Sequence, residues 1–78
     1  MAWSDEPTEA QLNTIFRWLN WETPLPTDKA RRAADWLRDN ATRGDVREET
    51  QRMKKLKDRK NLSLYTCFES EIWENFDK

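Results

Sequence analysis

The chain has 78 residues, with 14 basic and 15 acidic side chains, no histidine, one cysteine and a formal net charge of −1. That length supports one small core and excludes two independent ones, and a single Cys67 without any histidine excludes both an internal disulfide and the usual Cys/His zinc set. No apolar run nears the roughly 18 residues of a membrane span, and the acidic start MAWSDEPTEA lacks the basic-then-apolar pattern of a leader, so the expectation is a soluble, unprocessed, cytoplasmic protein with no metal or cofactor.

Charged residues make up 37% of the chain and the hydrophobic set only 36%, but five Trp, three Phe and one Tyr supply large burial per residue. Only Gly44 and three prolines, Pro7, Pro24 and Pro26, punctuate it. An all-β domain would need turn residues at short, regular spacing, so the pattern predicts an all-α fold, one small three-helix domain with a short C-terminal helix or irregular tail.

The first helix is expected over residues 8–20. Thr8 and Gln11 stand at capping-box spacing, Pro7 blocks backward extension, and Leu12, Ile15, Phe16 and Leu19 form one apolar stripe widened by Trp18. NWETPLPT then reads as an extended loop, because each proline restricts the residue before it.

A second helix is expected over 28–42, capped by Thr27 or Asp28. Its stripe of Ala30, Ala33, Ala34, Leu37 and Ala41 is small enough for another helix or for Trp18, Trp21 or Trp36 to approach closely. Gly44 reads as its left-handed C-terminal residue. Asp45 and Glu48 then suggest a capping box for a third helix over 45–60, in which only Val46, Met53 and Leu56 are clearly apolar and Glu48 stands four residues before Arg52. The tail fits both alternation (Leu62, Leu64, Thr66, Phe68) and helical spacing (Tyr65, Phe68, Ile72, Phe76). A short helix over about 67–76 is favoured, with Thr66 and Glu69 as its capping pair.

Nothing in the sequence points to an enzyme. The acid/base candidates are carboxylates and lysines on exposed helices, a phosphate-cradling loop is impossible with one glycine, and Cys67 between Thr66 and Phe68 reads as a buried structural thiol without a base.

Charge is distributed unevenly. Residues 1–30 net −3, residues 31–51 net zero, residues 52–60 net +5 and residues 61–78 net −3. The segment RMKKLKDRK therefore carries candidate phosphate ligands Arg52, Lys54, Lys55, Lys57, Arg59 and Lys60, unless the acidic tail of Glu69, Glu71, Glu74 and Asp77 neutralises it. The tryptophans read mainly as core, with Trp3, Trp21 and Trp73 outside the clear stripes.

Residues 8–37 carry TEAQLNTIFRWLN, then WETPLPT, then DKARRAADWL. This resembles the SAP and related helix-extended loop-helix families on Thr8, Leu12, Leu25, Pro26, Thr27, Lys29 and Leu37, with Asp28 near the place of the family's usual glycine. The resemblance implies nucleic-acid binding through the loop and the start of the second helix, by Lys29, Arg31 and Arg32. The leading expectation is a noncatalytic nucleic-acid-associated module of a small bacterial or phage kind, contacting the phosphate backbone of DNA or RNA. The alternative is a protein-protein interaction module or small inhibitor that presents Trp3, Trp21 and Trp73 with Arg43 or Arg47 to another protein.

Overall fold

In a computed structural model, which describes residues 3–76, Thr8 opens α1 (Glu9–Arg17) with a complete capping box: its hydroxyl accepts from the Gln11 amide at 3.1 Å, and Gln11 returns the bond to the Thr8 N–H at 3.0 Å. The helix does not give way to an extended loop at Asn20. It widens into a π-helical turn (Trp18–Glu22), closed by the Thr23 N–H donating to the Trp18 carbonyl, and a bend at Thr23 with residues 24–26 is all that intervenes before α2 (Thr27–Asn40). The widened turn lets Leu19, Thr23 and Leu25 all reach the core, where each is buried.

No side-chain hydrogen bond caps α2, although Thr27 and Asp28 are the residues expected to supply one. Pro26 occupies the cap, and the Thr27 hydroxyl instead accepts from Asn20 Nδ2 at 3.1 Å, which ties the π-turn to the helix start. The alanine stripe takes α1 itself against it: Ala30, Ala33 and Leu37 are fully buried with Leu12, Ile15 and Leu19.

Only Ala41 and Thr42 separate α2 from α3 (Arg43–Asp58). Gly44 is therefore not a helix terminator. It lies in the first turn of α3 with no positive φ, and the capping box is Thr42 with Asp45, three residues upstream of the Asp45/Glu48 pair suggested by spacing. Gly44 has a different task. Its N–H donates to the Trp3 carbonyl at 2.9 Å, and a Cβ there would meet Trp3 Cβ and the carbonyl oxygen at 3.3 Å, so the missing side chain admits the N-terminal strap. The Arg43 N–H donates to the Asp5 carbonyl at 2.7 Å, so the first free amides of α3 are satisfied by the chain's own backbone. The left-handed residue that ends a helix is Lys60, with φ 59°, at the close of α3. Its N–H donates to the Lys57 carbonyl and that of Asn61 to the Leu56 carbonyl, the pairing of a Schellman motif.

The tail forms two 3-10 turns, Thr66–Phe68 and Glu71–Trp73, rather than the helix expected near 67–76. They are held by a buried polar cluster on α3. Glu49 is 3% exposed and takes both donors of a bidentate Arg52 fork at 2.7 Å, together with the indole N–H of Trp73. Arg52 uses its remaining donors on the carbonyls of Thr66 at 2.9 Å and Cys67 at 2.6 Å. Its partner is thus Glu49, not Glu48. Glu49 holds the guanidinium above its ordinary pKa despite the opposing effect of burial. Around this cluster Trp36 of α2 stacks on Trp73 at 5.9 Å, and Phe68 and Phe76 close edge-on and stacked contacts at 5.0 to 5.8 Å. Among the described residues there is no strand, and no helix is long and apolar enough to cross a membrane.

Two outcomes follow from this architecture. Glu49→Ala leaves Arg52 and the Trp73 indole without their buried acceptor and is expected to destabilise the fold by about 3 kcal/mol in urea denaturation, against under ~0.5 kcal/mol for Glu48→Ala. Cys67 is fully buried and burial pushes its thiol up to about 11. It should therefore resist an aromatic disulfide reagent at pH 8 in buffer and react promptly in denaturant, and equal rates in both would contradict the packing.

Candidate nucleic-acid interface

The spacing of α3 sorts its cations onto different faces. Arg43, Arg47, Lys54 and Lys57 recur at intervals of four, seven and three, which puts them along the flank turned toward α1, whereas Lys55 and Arg59 stand four apart on the outward side. Between α1 and that flank runs a shallow groove of about 240 Å³, lined by Gln11, Thr14, Trp18, Arg47, Thr50, Gln51 and Lys54, without a carboxylate. Trp18 lies at one end, with Lys57 over its ring at 5.0 Å; past the other end an adjoining pocket of about 390 Å³ is lined by Trp3, Gly44, Arg47, Glu48 and Gln51, with Arg47 over the Trp3 ring at 4.8 Å.

At the Trp18 end the groove meets an apolar depression of about 420 Å³ formed by the end of α1 and the π-turn, lined by Phe16, Arg17, Trp18, Asn20, Trp21 and Glu22. Trp21 is 83% exposed there. Cations flank the depression on both sides, Arg31 over the Phe16 ring at 5.3 Å and Lys57 over Trp18. Glu22 is the one carboxylate in the lining, and it holds the Lys57 ammonium at 3.1 Å.

The expected phosphate ligands thus divide. Lys54 joins Arg47 in the groove, Lys57 lies over Trp18 at its end, the exposed Arg17 lines the depression, and Arg31 reaches the same aromatic surface from α2. Lys55, Arg59 and Lys60 are exposed and lie at or beyond the outward end of α3. Lys29 is half-buried and Arg32 exposed at the start of α2, and each makes contacts of its own within the protein. Arg52 is poorly placed to hold a ligand, since Glu49 and two carbonyls take most of its donors, although its side chain stays 29% exposed.

The residues expected at a protein interface divide as well. Trp21 and Trp3 are open to solvent, the latter 48% exposed, but Trp73 is 4% exposed and belongs to the core. Arg43 is half-buried, with Nε donating to the Glu6 carbonyl at 3.3 Å, so it secures the N-terminal strap, while Arg47 is exposed at the groove. The participation of Gln11, Thr14, Arg17 and Trp18 was not singled out from sequence. Their common face follows from the same helical spacing that marks the core stripe of α1, read on its α3 side.

The described acids of the tail do not pair with the α3 flank. Among the described residues, none of Glu69, Glu71 and Glu74 forms an ion pair with Lys54, Lys55, Lys57, Arg59 or Lys60, and Asp77 lies outside them. Glu71 instead lines a cleft of about 530 Å³ on the other side of α3, with Asp45, Glu48 and Glu49. The molecule therefore sets a groove bearing Arg47 and Lys54, whose own lining has no carboxylate, across α3 from a carboxylate-rich cleft, with Glu48 between the two.

Fluorescence provides a direct check of this placement: Trp21→Phe should remove most of the readily acrylamide-quenched emission, and Trp73→Phe should leave that component in place. No protein-family model, curated protein or solved structure matches this chain.

Proposed function

We propose that the protein is a noncatalytic nucleic-acid-associated module that contacts the phosphate backbone of DNA or RNA along the α1–α3 groove. The observation that carries this reading is the groove's lining, in which Arg47 and Lys54 are exposed and no carboxylate takes part, while Gln11, Thr14 and Thr50 turn their polar atoms to backbone groups. Arg17 extends the positive surface toward the π-turn, where Lys57 is paired with Glu22, and Arg31, one of the three cations implied by the SAP-like resemblance, meets the same surface over Phe16. Backbone contact of this kind is electrostatic and largely indifferent to sequence.

A second reading, a protein-binding module, draws support from Leu64 and Tyr65, 43% and 86% exposed on the turn after α3, and from the acidic cleft, which suits a basic partner segment. The two readings use opposite sides of α3, and charge reversal separates them. With single- and double-stranded DNA and RNA at two salt concentrations, binding through about four cations should weaken with a log–log slope of about −3 on single strands. Arg47→Glu with Lys54→Glu should lower affinity more than about tenfold, whereas Glu48→Lys with Glu71→Lys should not lower it. Absence of binding to any of these polymers at low salt would sink the first reading.

A further inference from the structure

The depression at the π-turn has a composition that phosphate contact does not explain. Three aromatic side chains, Phe16, Trp18 and Trp21, meet within seven residues of chain, and Trp21 leaves most of its indole surface in water. A small domain gains nothing in stability from an indole that stays 83% exposed. The backbone irregularity that presents it, a five-residue π-turn, is of a kind frequently found at functional sites. The surrounding charge narrows the occupant. Arg31 and Lys57 flank the aromatics over Phe16 and Trp18, Arg17 is in the lining, and the cationic groove runs in from one side. An occupant that is flat and aromatic, and attached to a polyanion lying in the groove, satisfies every one of these features.

We propose that the Phe16–Trp18–Trp21 depression receives one unpaired base, so that the partner is single-stranded nucleic acid, its backbone in the α1–α3 groove and a base stacked on Trp21. This rests on the backbone-binding reading above. In a duplex both faces of each base are covered by its neighbours, so an exposed indole of this kind can be used only by a base that has left the stack. Glu22 sets the local electrostatics: by holding Lys57 over Trp18 at 3.1 Å it removes one cation from the groove's end, so its neutralisation strengthens backbone binding.

The test uses the full chain with four probes of equal length or charge: a single-stranded oligonucleotide, its duplex, the same single strand with abasic sites, and heparin. The intact single strand should bind tightest and quench tryptophan emission, and the abasic strand should bind about tenfold more weakly without that quenching. Trp21→Ala should lower single-strand affinity by about tenfold while duplex and heparin binding stay within about twofold, and Trp21→Phe should restore most of the loss. Glu22→Gln should tighten binding to all four probes by a few-fold. Equal losses for heparin and single strand in Trp21→Ala, or equal binding of abasic and intact strands, would overturn the stacking assignment while leaving backbone binding standing. Failure of all four probes to bind would overturn both. A dilution-dependent emission shift without any oligonucleotide, abolished by Trp21→Ala, would overturn the assignment by showing that a second copy of the chain covers the indole.

Discussion

A carboxylate sits inside this protein, and much of the remaining arrangement follows from what must be done with it. Glu49 is placed on the buried side of α3 between Val46 and Met53, where an unpaired charge would oppose folding by several kcal/mol. It is satisfied by the Arg52 fork and the Trp73 indole, and Arg52 passes the connection on to the carbonyls of Thr66 and Cys67. Two 3-10 turns with few regular hydrogen bonds of their own are thereby fastened to a helix. The aromatic contacts of Trp36, Phe68, Trp73 and Phe76 then seal that side of the core.

The same cluster decides the surface electrostatics. By anchoring the tail on the α2 side of α3, it carries Glu71 to the cleft shared with Asp45 and Glu48 and away from the α1 side. The groove beside Arg47 and Lys54 is left without a tail carboxylate in its lining, and Glu48 at the adjoining Trp3 pocket is its acidic neighbour, although the chain as a whole is nearly neutral. A net charge of −1 therefore conceals two opposite fields, separated by about the width of one helix.

Local signals in the sequence were sufficient where the structure is locally determined. The Thr8/Gln11 capping box, the apolar stripe of α1 and the stripe Ala30, Ala33, Ala34 and Leu37 of α2 are satisfied within a turn or two of chain and are present, whereas Ala41, read as the stripe's last member, is the extended residue that ends α2. Where a distant segment intervenes, local signals mislead. Gly44 has the look of a helix terminator, but it is glycine because the Trp3 backbone passes against it, and Lys60 takes the left-handed position without being glycine. The π-turn depends on Leu19, Thr23 and Leu25 all finding the core, a tertiary demand that overrides the proline signals of the loop. Arg52 and Trp73 look like surface residues because a cation and an indole at the edge of an apolar pattern usually are. The burial of Trp73 and the inward turn of the half-buried Arg52 required Glu49, whose position three residues after Val46 and four before Met53 was the one available clue. At the candidate interface, the basic segment was visible as a run of six cations, but its division into a groove-facing and an outward set is set by helical phase against α1.

The claim at the centre of this account is that the clamp around Glu49 parks the acids on one side of α3 and leaves the other side, with its exposed indole, for a nucleic acid. Amide and indole chemical-shift mapping during titration with a short single-stranded oligonucleotide tests it most directly. The account predicts that the perturbed signals cluster at Thr14–Glu22 and along Arg47, Lys54 and Lys57, with the Trp21 indole among the largest and the signals of Asp45, Glu48 and Glu71 unmoved. Perturbations centred on that acidic cleft, or none at a strand concentration of about 1 mM and low salt, well above the ordinary range for nonspecific binding, would contradict it.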